Sequence, residues 1–428
     1  MSLLHLLNAR LIDPETGYDG PGALRLRDGL IEDVHRGPAP TPGEGRVLDC
    51  EGQALAPGIV DLRVFVGEPG ARHRESYRSA GEAAAAGGVT TFVAQPDTTP
   101  PLDDPALVQF ILARAREAAS VNVHAMGALT RGLEGRELTE QQFLLDAGAV
   151  ALTDADRAVA DARVFHTCLK YATSTGALVV HHPQEPALSQ GAAATAGEFA
   201  SRLGLPGVPA LAERLLLERD LALVEATGAR YHADQITTEA ALAPLARARE
   251  QGLHVSAATS IHHLTLNEFD IADYRSFFKL TPPLRTEDDR AATVEALARG
   301  EIDIIVSSHL PWDEEAKRLP FEAAATGAVG LETFLPACLR LYHGDQIDLP
   351  TLFKRASLAP ARLIGLPQGR LTPGAPADLV LFDPDAPFVL DRAALRSRAQ
   401  NTPFDRQRLQ GRVLATWVAA QQVFEALH

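Results

Sequence analysis

The chain has 428 residues, 46% of them apolar, and a formal net charge of −15 from 40 basic and 55 acidic side chains. That length exceeds one ordinary domain and suits a barrel of roughly 250–300 residues with a satellite. The acidic balance argues against non-specific binding to nucleic acid or an anionic membrane. Cys50, Cys168 and Cys338 lie far apart, so they form neither a disulfide framework nor a CxxC-type metal spacing. No apolar run reaches about 18 residues, and "MSLLHLLNARLID" lacks a basic region followed by a signal-type apolar core. A reducing cytoplasm is the expected compartment.

Residues 3–52 alternate apolar and polar positions between Gly, Pro and Asp turns, which predicts a small β-sheet unit. From residue 56 the pattern changes to strand, loop, helix, repeated. The expected strands are 58–66, 89–95, 121–127, 149–154, 177–182, 229–235, 253–259 and 302–308. Between them, 104–119 reads as a helix with Asp104 as N-cap and Pro105 at its first position, and 75–88 as one stopped by glycine. Eight alternations predict an α/β fold, a parallel (β/α)₈ TIM-type barrel. Strands return in 369–384 and 411–425, so both chain ends are expected to build one small β-sandwich domain. The expected division is 1–55 plus 366–428 for that domain and 56–365 for the barrel. In "APGIVDLRVFVGEPG" (56–70), Arg63 and Phe65 share one face at the end of the first barrel strand.

Several ordered stretches resemble the dihydroorotase family of the amidohydrolase superfamily. They are "APGIVDLRVFVGEPG" (56–70), "AAAAGGVTTFVAQPDTTPPLDD" (83–104), "GALTRGLEGRELTE" (127–140), "TPPLRTEDDR" (281–290), "SSHLPWDEEAK" (307–317), "GAVGLET" (327–333), "GRLTPGAPADLVLFD" (369–383) and "NTPF" (401–404). The resemblance spans nearly the whole chain and speaks for fold and ancestry; function is a matter of the site.

The resemblance implies a zinc site of six positions at the C-terminal ends of the strands, where metal makes hydroxide and an aspartate moves the proton. Here the two strand-one histidines become Arg63 and Phe65. The strand-four carboxylate falls at Asp154, with Asp156 as neighbour and a slip of one residue left open. Strand five keeps His181, followed by His182. The strand-six histidine becomes Gln235, and the catalytic aspartate of strand eight becomes Ser308. Arg63 is no zinc ligand, and a +1/+2 pair at about 4 Å costs roughly 8 kcal/mol at an effective dielectric near 20. In the substrate shell the family's arginine becomes Gly67, and its asparagines become Asp97 and Thr281. No metal is expected; if one bound, His181 and Asp154 would be its remaining ligands, and zinc would need a rebuilt site.

Candidates for rebuilding are His182, Asp156, His232, Asp234, His262, His263 and His309. Strand parity turns His232 and Asp234 away if Gln235 faces inward. Arg63 is expected to occupy the vacated metal position and pair with Asp154. Tyr77, Trp312 and the histidines near the mouth read as packing or surface residues rather than catalysts. Ser308 beside His309 is a poor serine–histidine pair, since neighbours on a strand face opposite ways. "GALTRGLEG" lacks the phosphate-loop lysine.

Three functions follow as expectations. The first is a catalytically inactive dihydroorotase-like protein of pyrimidine biosynthesis. By analogy with such members of the family, it would help assemble the catalytic chains of aspartate transcarbamoylase, itself as a homo-oligomer. The second is an active metal-dependent dihydroorotase or related cyclic amidohydrolase with a reduced or rearranged site. The third is a binder of a small anion near Arg63.

Overall fold

The computed structural model describes residues 3–271 and 273–426; the outermost two residues of each expected chain-end segment lie outside the described residues. The N-terminal strands are β1 (Leu3–Asp13), β2 (Tyr18–Arg27), β3 (Leu30–Arg36), β4 (Arg46–Asp49) and β5 (Ala54–Pro57). The middle of the chain holds β6 (Ile59–Val64), β7 (Val89–Ala94), β8 (Asn122–Ala125), β9 (Gly127–Ala128), β10 (Leu152–Thr153) and β11 (Leu178–His181). After the two-residue pair β12 (Ala194–Thr195) and β13 (Gly207–Val208) come β14 (Arg230–Ala233), β15 (Val255–Ser260) and β16 (Ile304–Val306). The chain closes with β17 (Leu379–Val389), β18 (Arg408–Val418) and β19 (Gln421–Glu425).

All eight expected middle strands form, each shorter than its apolar run. They pair in parallel, β6–β7–β8 and then β9 through β11 to β14, β15 and β16. Only Met126 separates β8 from β9, and its N–H donates to Ala94 O at 3.0 Å. The far end returns to the start: Phe65 N donates to His309 O at 2.9 Å and His309 N to Arg63 O at 3.3 Å. The parallel strands are therefore hydrogen-bonded all the way round. Val60, Leu62, Val93, Met126, Ala151, Val180 and Val306 share one apolar cluster within the ring, while Val179, Tyr231 and Ile305 pack with the helices in the main core.

The helices start where their caps place them. Asp104 accepts from Ala106 N, with Pro105 opening the helix Pro105–Ala118. Ser76 and Ser79 form a reciprocal capping box on the helix Tyr77–Ala86, which stops at Gly87.

The two chain ends meet as expected, in one eight-stranded mixed sheet ordered β19–β18–β17–β5–β1–β2–β3 with β4 beside β1. Its own core is built from Leu6, Leu11, Leu24, Leu55, Leu379 and Trp417. β5 runs straight into β6 through Gly58, so the sheet and the parallel ring share a continuous backbone. Cys50, Cys168 and Cys338 are buried free thiols. Among the described residues no helix is long and apolar enough to cross a membrane.

Candidate functional site

The C-terminal ends of the parallel strands surround a small polar cavity. Arg63, Phe65, Asp97, Asp156, Gln235, Thr281 and Ser308 all line it, with His262 and His263. Four of the nine resemblance-derived positions, Arg63, Phe65, Gln235 and Ser308, come together here from strand ends and two more, Asp97 and Thr281, from loops. Asp154, His181 and Gly67 do not line it.

Arg63 enters the cavity almost fully buried, as its position at the end of β6 predicts. Its partner differs from expectation. The guanidinium contacts Asp156 through Nη2 and Asp234 through Nη1, not Asp154. Backbone geometry explains the exchange. Ala155 adopts the left-handed region at φ 55°, so the chain turns between the two aspartates. Asp154 is directed to the neighbouring loop, where Leu129 N (3.1 Å), Thr130 N (2.9 Å) and Thr130 Oγ1 donate to it. Burial nevertheless pushes its carboxyl pKa above the usual range. Asp234 corrects the parity argument in the same way: β14 ends at Ala233, and Gln235 has φ 54°. Alternation from inward His232 therefore carries through Asp234 and breaks at Gln235, so both Asp234 and Gln235 turn inward.

His181 is the second correction. It lies on the helix side of β11, one residue after inward-facing Val180. Nδ1 meets Asp220 Oδ2 at 2.6 Å, and Val159 N donates to Nε2 at 2.9 Å. Both ring nitrogens are committed, so His181 has no lone pair for a metal. His182, next along the chain, is fully buried with neither ring nitrogen hydrogen-bonded, and burial with the nearby Arg63 charge holds it neutral. His262 is likewise without hydrogen bonds and is pushed down to about 3 by burial. His263 is held between Ser260 Oγ (2.8 Å) and Pro282 O (3.0 Å). His232 bonds Ser256 Oγ at 2.7 Å.

Gln235 and Ser308 meet each other. Ser308 Oγ donates to Gln235 Oε1 at 3.1 Å, and Gln235 Nε2 donates to Thr281 O at 3.2 Å. Ser308 and His309 do not pair; His309 Nε2 faces buried Glu75 at 3.3 Å and its Nδ1 accepts from Gly330 N at 3.2 Å. At Gly67 a Cβ would stand 2.1 Å from the Ala71 carbonyl oxygen, so this loop has no room for the family's arginine. Trp312 and Phe65 flank the Arg74 guanidinium, at 3.5 Å and 4.2 Å from their ring centroids. Tyr77 is wholly buried, as expected of a packing residue.

These residues do not fit the family's zinc. The arginine cation stands in the cavity, Asp154 and His181 are spent on other partners, and among the described residues no three His, Cys, Asp or Glu side chains group as a metal site. The remaining space admits the centre of a water molecule over only about 20 Å³, room for about one water. An adjoining space of about 350 Å³, lined by Phe65, Asp97, Asp154 and Asp156, reaches the lower end of the roughly 300–1,000 Å³ of small-molecule sites.

Asp97 carries a testable consequence. Burial, then the neighbouring Asp156, raises its carboxyl to about 6, against about 3.9 in an unfolded chain. A raised carboxyl pKa stabilises the fold below the unfolded value, and that contribution is lost as pH rises through the folded one. Asp97→Asn is therefore expected to gain roughly 1–3 kcal/mol above pH ~7, with the gain vanishing near pH ~4. Urea unfolding at several pH values checks this, and a gain independent of pH would sink it.

Sequence reasoning missed Asp220, Glu75 and Arg74 as parts of this region. Asp220 sits on the helix Leu211–Thr227, 39 residues after His181, with no local pattern linking the two.

Residues 52–241 match the family model described as dihydro-orotase-like. A dihydroorotase of Anaplasma phagocytophilum (strain HZ) is 37% identical over 425 residues, covering 98% of this chain and 95% of that protein. One from Anaeromyxobacter dehalogenans (strain 2CP-C) is 38% identical over 425 residues, covering 99% and 98%. Among solved structures, the L-hydantoinase of Arthrobacter aurescens superposes with a TM-score of 0.90 at 23% identity, covering 99% of this chain and 96% of that one. That structural likeness speaks for the α/β fold alone. With relatives of this identity along its whole length, the chain belongs to the dihydroorotase family.

Proposed function

We propose that this protein is a catalytically inactive member of the dihydroorotase family, serving pyrimidine biosynthesis through a structural role. The observation that carries the reading is Arg63, whose guanidinium fills the strand-one position between Asp156 and Asp234. His181 bonded to Asp220 and Asp154 bonded to Thr130 support it. In this reading the ring of parallel strands is a TIM-type (β/α)₈ barrel over about residues 56–365. The chain-end sheet is its β-sandwich satellite.

The resemblance supplies the partner, the catalytic chains of aspartate transcarbamoylase, and a cytoplasmic setting. Co-purification from the host checks the partner; a pull-down without that enzyme would remove it.

The test of inactivity is elemental mass spectrometry after zinc loading and desalting, followed by a dihydroorotate hydrolysis assay. The expected result is less than about a tenth of an equivalent of metal and no turnover above the uncatalysed rate. Tightly held zinc with chelator-sensitive turnover would establish the second reading, an active cyclic amidohydrolase with a rearranged site. The observation favouring that alternative is the pair of neutral, hydrogen-bond-free imidazoles at His182 and His262.

A further inference from the structure

A second cleft, of about 300 Å³, opens beside the barrel mouth. Its walls come from the loop holding Arg74, from the segment holding Trp312 and Lys317, and from the C-terminal segment holding Arg392 and Arg398. We propose that this cleft binds a small organic oxyanion, with Arg392, Arg398 and Lys317 as its cationic contacts.

The argument starts from charge. The chain carries −15 overall, yet four cations gather here. Among the described residues, Arg74, Lys317 and Arg398 have no ion pair within 4.0 Å. Arg392 reaches Asp405 only at 3.9 Å, and that carboxylate is already held by Arg275 at 2.7 Å. The Arg398 guanidinium donates to a carbonyl, Arg72 O at 3.1 Å, from Nη1. Two acidic groups share the rim; the charge of Asp313 also acts on Arg74, and its neighbour His73 lines the same cleft. Asp313 lies 3.7 Å from His73, and Glu314 lies 3.0 Å from Arg318.

Burial makes the cluster more than a solvated face. Lys317 is only 4% exposed. Its ammonium donates to Ser276 O at 3.1 Å and Ala325 O at 2.6 Å, which leaves one of three N–H groups. Burial, then the nearby Lys279, pushes it down to about 7, as expected of a cation lacking its counter-charge. Nη2 of Arg74 is buried without a hydrogen bond. The rings of Trp312 and Phe277 add flat apolar wall. Forked guanidinium donors suit a carboxylate and a phosphate equally, by two parallel hydrogen bonds.

The site contains its own reporter. The chain has two tryptophans, and Trp417 lies in the core of the chain-end sheet. Inorganic phosphate and benzoate are titrated separately into the full-length protein, against sodium chloride at matched ionic strength. Tryptophan fluorescence and calorimetry are read together. Saturable binding is expected, weakened about tenfold in Arg398→Ala and in Arg392→Ala. Tighter binding of phosphate assigns the site to phosphoryl compounds, and tighter binding of benzoate assigns it to aromatic carboxylates. Both side chains are partly solvent-facing, and matching melting temperatures will show that the variants fold. Binding that both variants leave unchanged, or silence in both readouts, overturns the proposal.

Discussion

Arg63→Ala is expected to lower unfolding stability by about 3–5 kcal/mol. The substitution removes the cation that Asp156 and Asp234 both contact. Their side chains are 31% and 5% exposed, so Asp234 bears most of the loss. Asp97 lines the same cavity and adds a third carboxylate, for which Arg74 is the other nearby cation. Deleting one partner of a buried pair leaves an uncompensated charge, which costs far more than the pair was worth. Arg63→Ala combined with Asp234→Asn should recover part of the loss, because the stranded charge goes with its partner. Chemical denaturation of the single and double variants gives the coupling. A loss under about 1 kcal/mol, the range of surface pairs, would mean that solvent reaches the cavity and screens it.

The second large effect is expected at Arg285, in the retained "PPLR" stretch. Its side chain is 2% exposed and meets Glu213, 1% exposed, at 3.3 Å. Nε donates to Thr237 Oγ1 at 2.9 Å. Glu213 also accepts from Thr237 N and Thr238 N, each at 2.9 Å. Arg285→Met is expected to cost about 3 kcal/mol, near the lower end for a broken buried pair, because those backbone donors continue to hold the carboxylate. Adding Glu213→Gln should return part of it. If Arg285→Met unfolds at the wild-type denaturant midpoint, the arginine is not a structural brace and its retention needs another cause.

The strands were legible because apolar runs between Gly, Pro and Asp state both their length and their limits. Side-chain direction at the mouth was not. Ala155, Gln235 and Ser308 each adopt positive φ just beyond a strand, at 55°, 54° and 50°. None is glycine, so nothing in their identity announces the turn. Parity carried back across Gln235 misdirected Asp234, while the family motif, not parity, named Asp154 as the partner of Arg63. His181 shows a different limit. Alternation along β11, anchored on inward Val180, would have turned it outward; the family motif drew it inward instead. What held it outward, Asp220, comes from a helix and leaves no local signature.

The central place of β5 in the chain-end sheet sets a schedule for synthesis. β5 pairs with β1 on one side and β17 on the other. Some 320 residues separate β5 from β17, roughly 15–65 s of translation at typical rates. Through that interval the nascent N-terminal hairpins present an open, apolar edge to other chains. Ribosome-associated chaperones that shield this edge, or slow initiation that spaces neighbouring ribosomes, would govern how much of this protein a cell recovers folded.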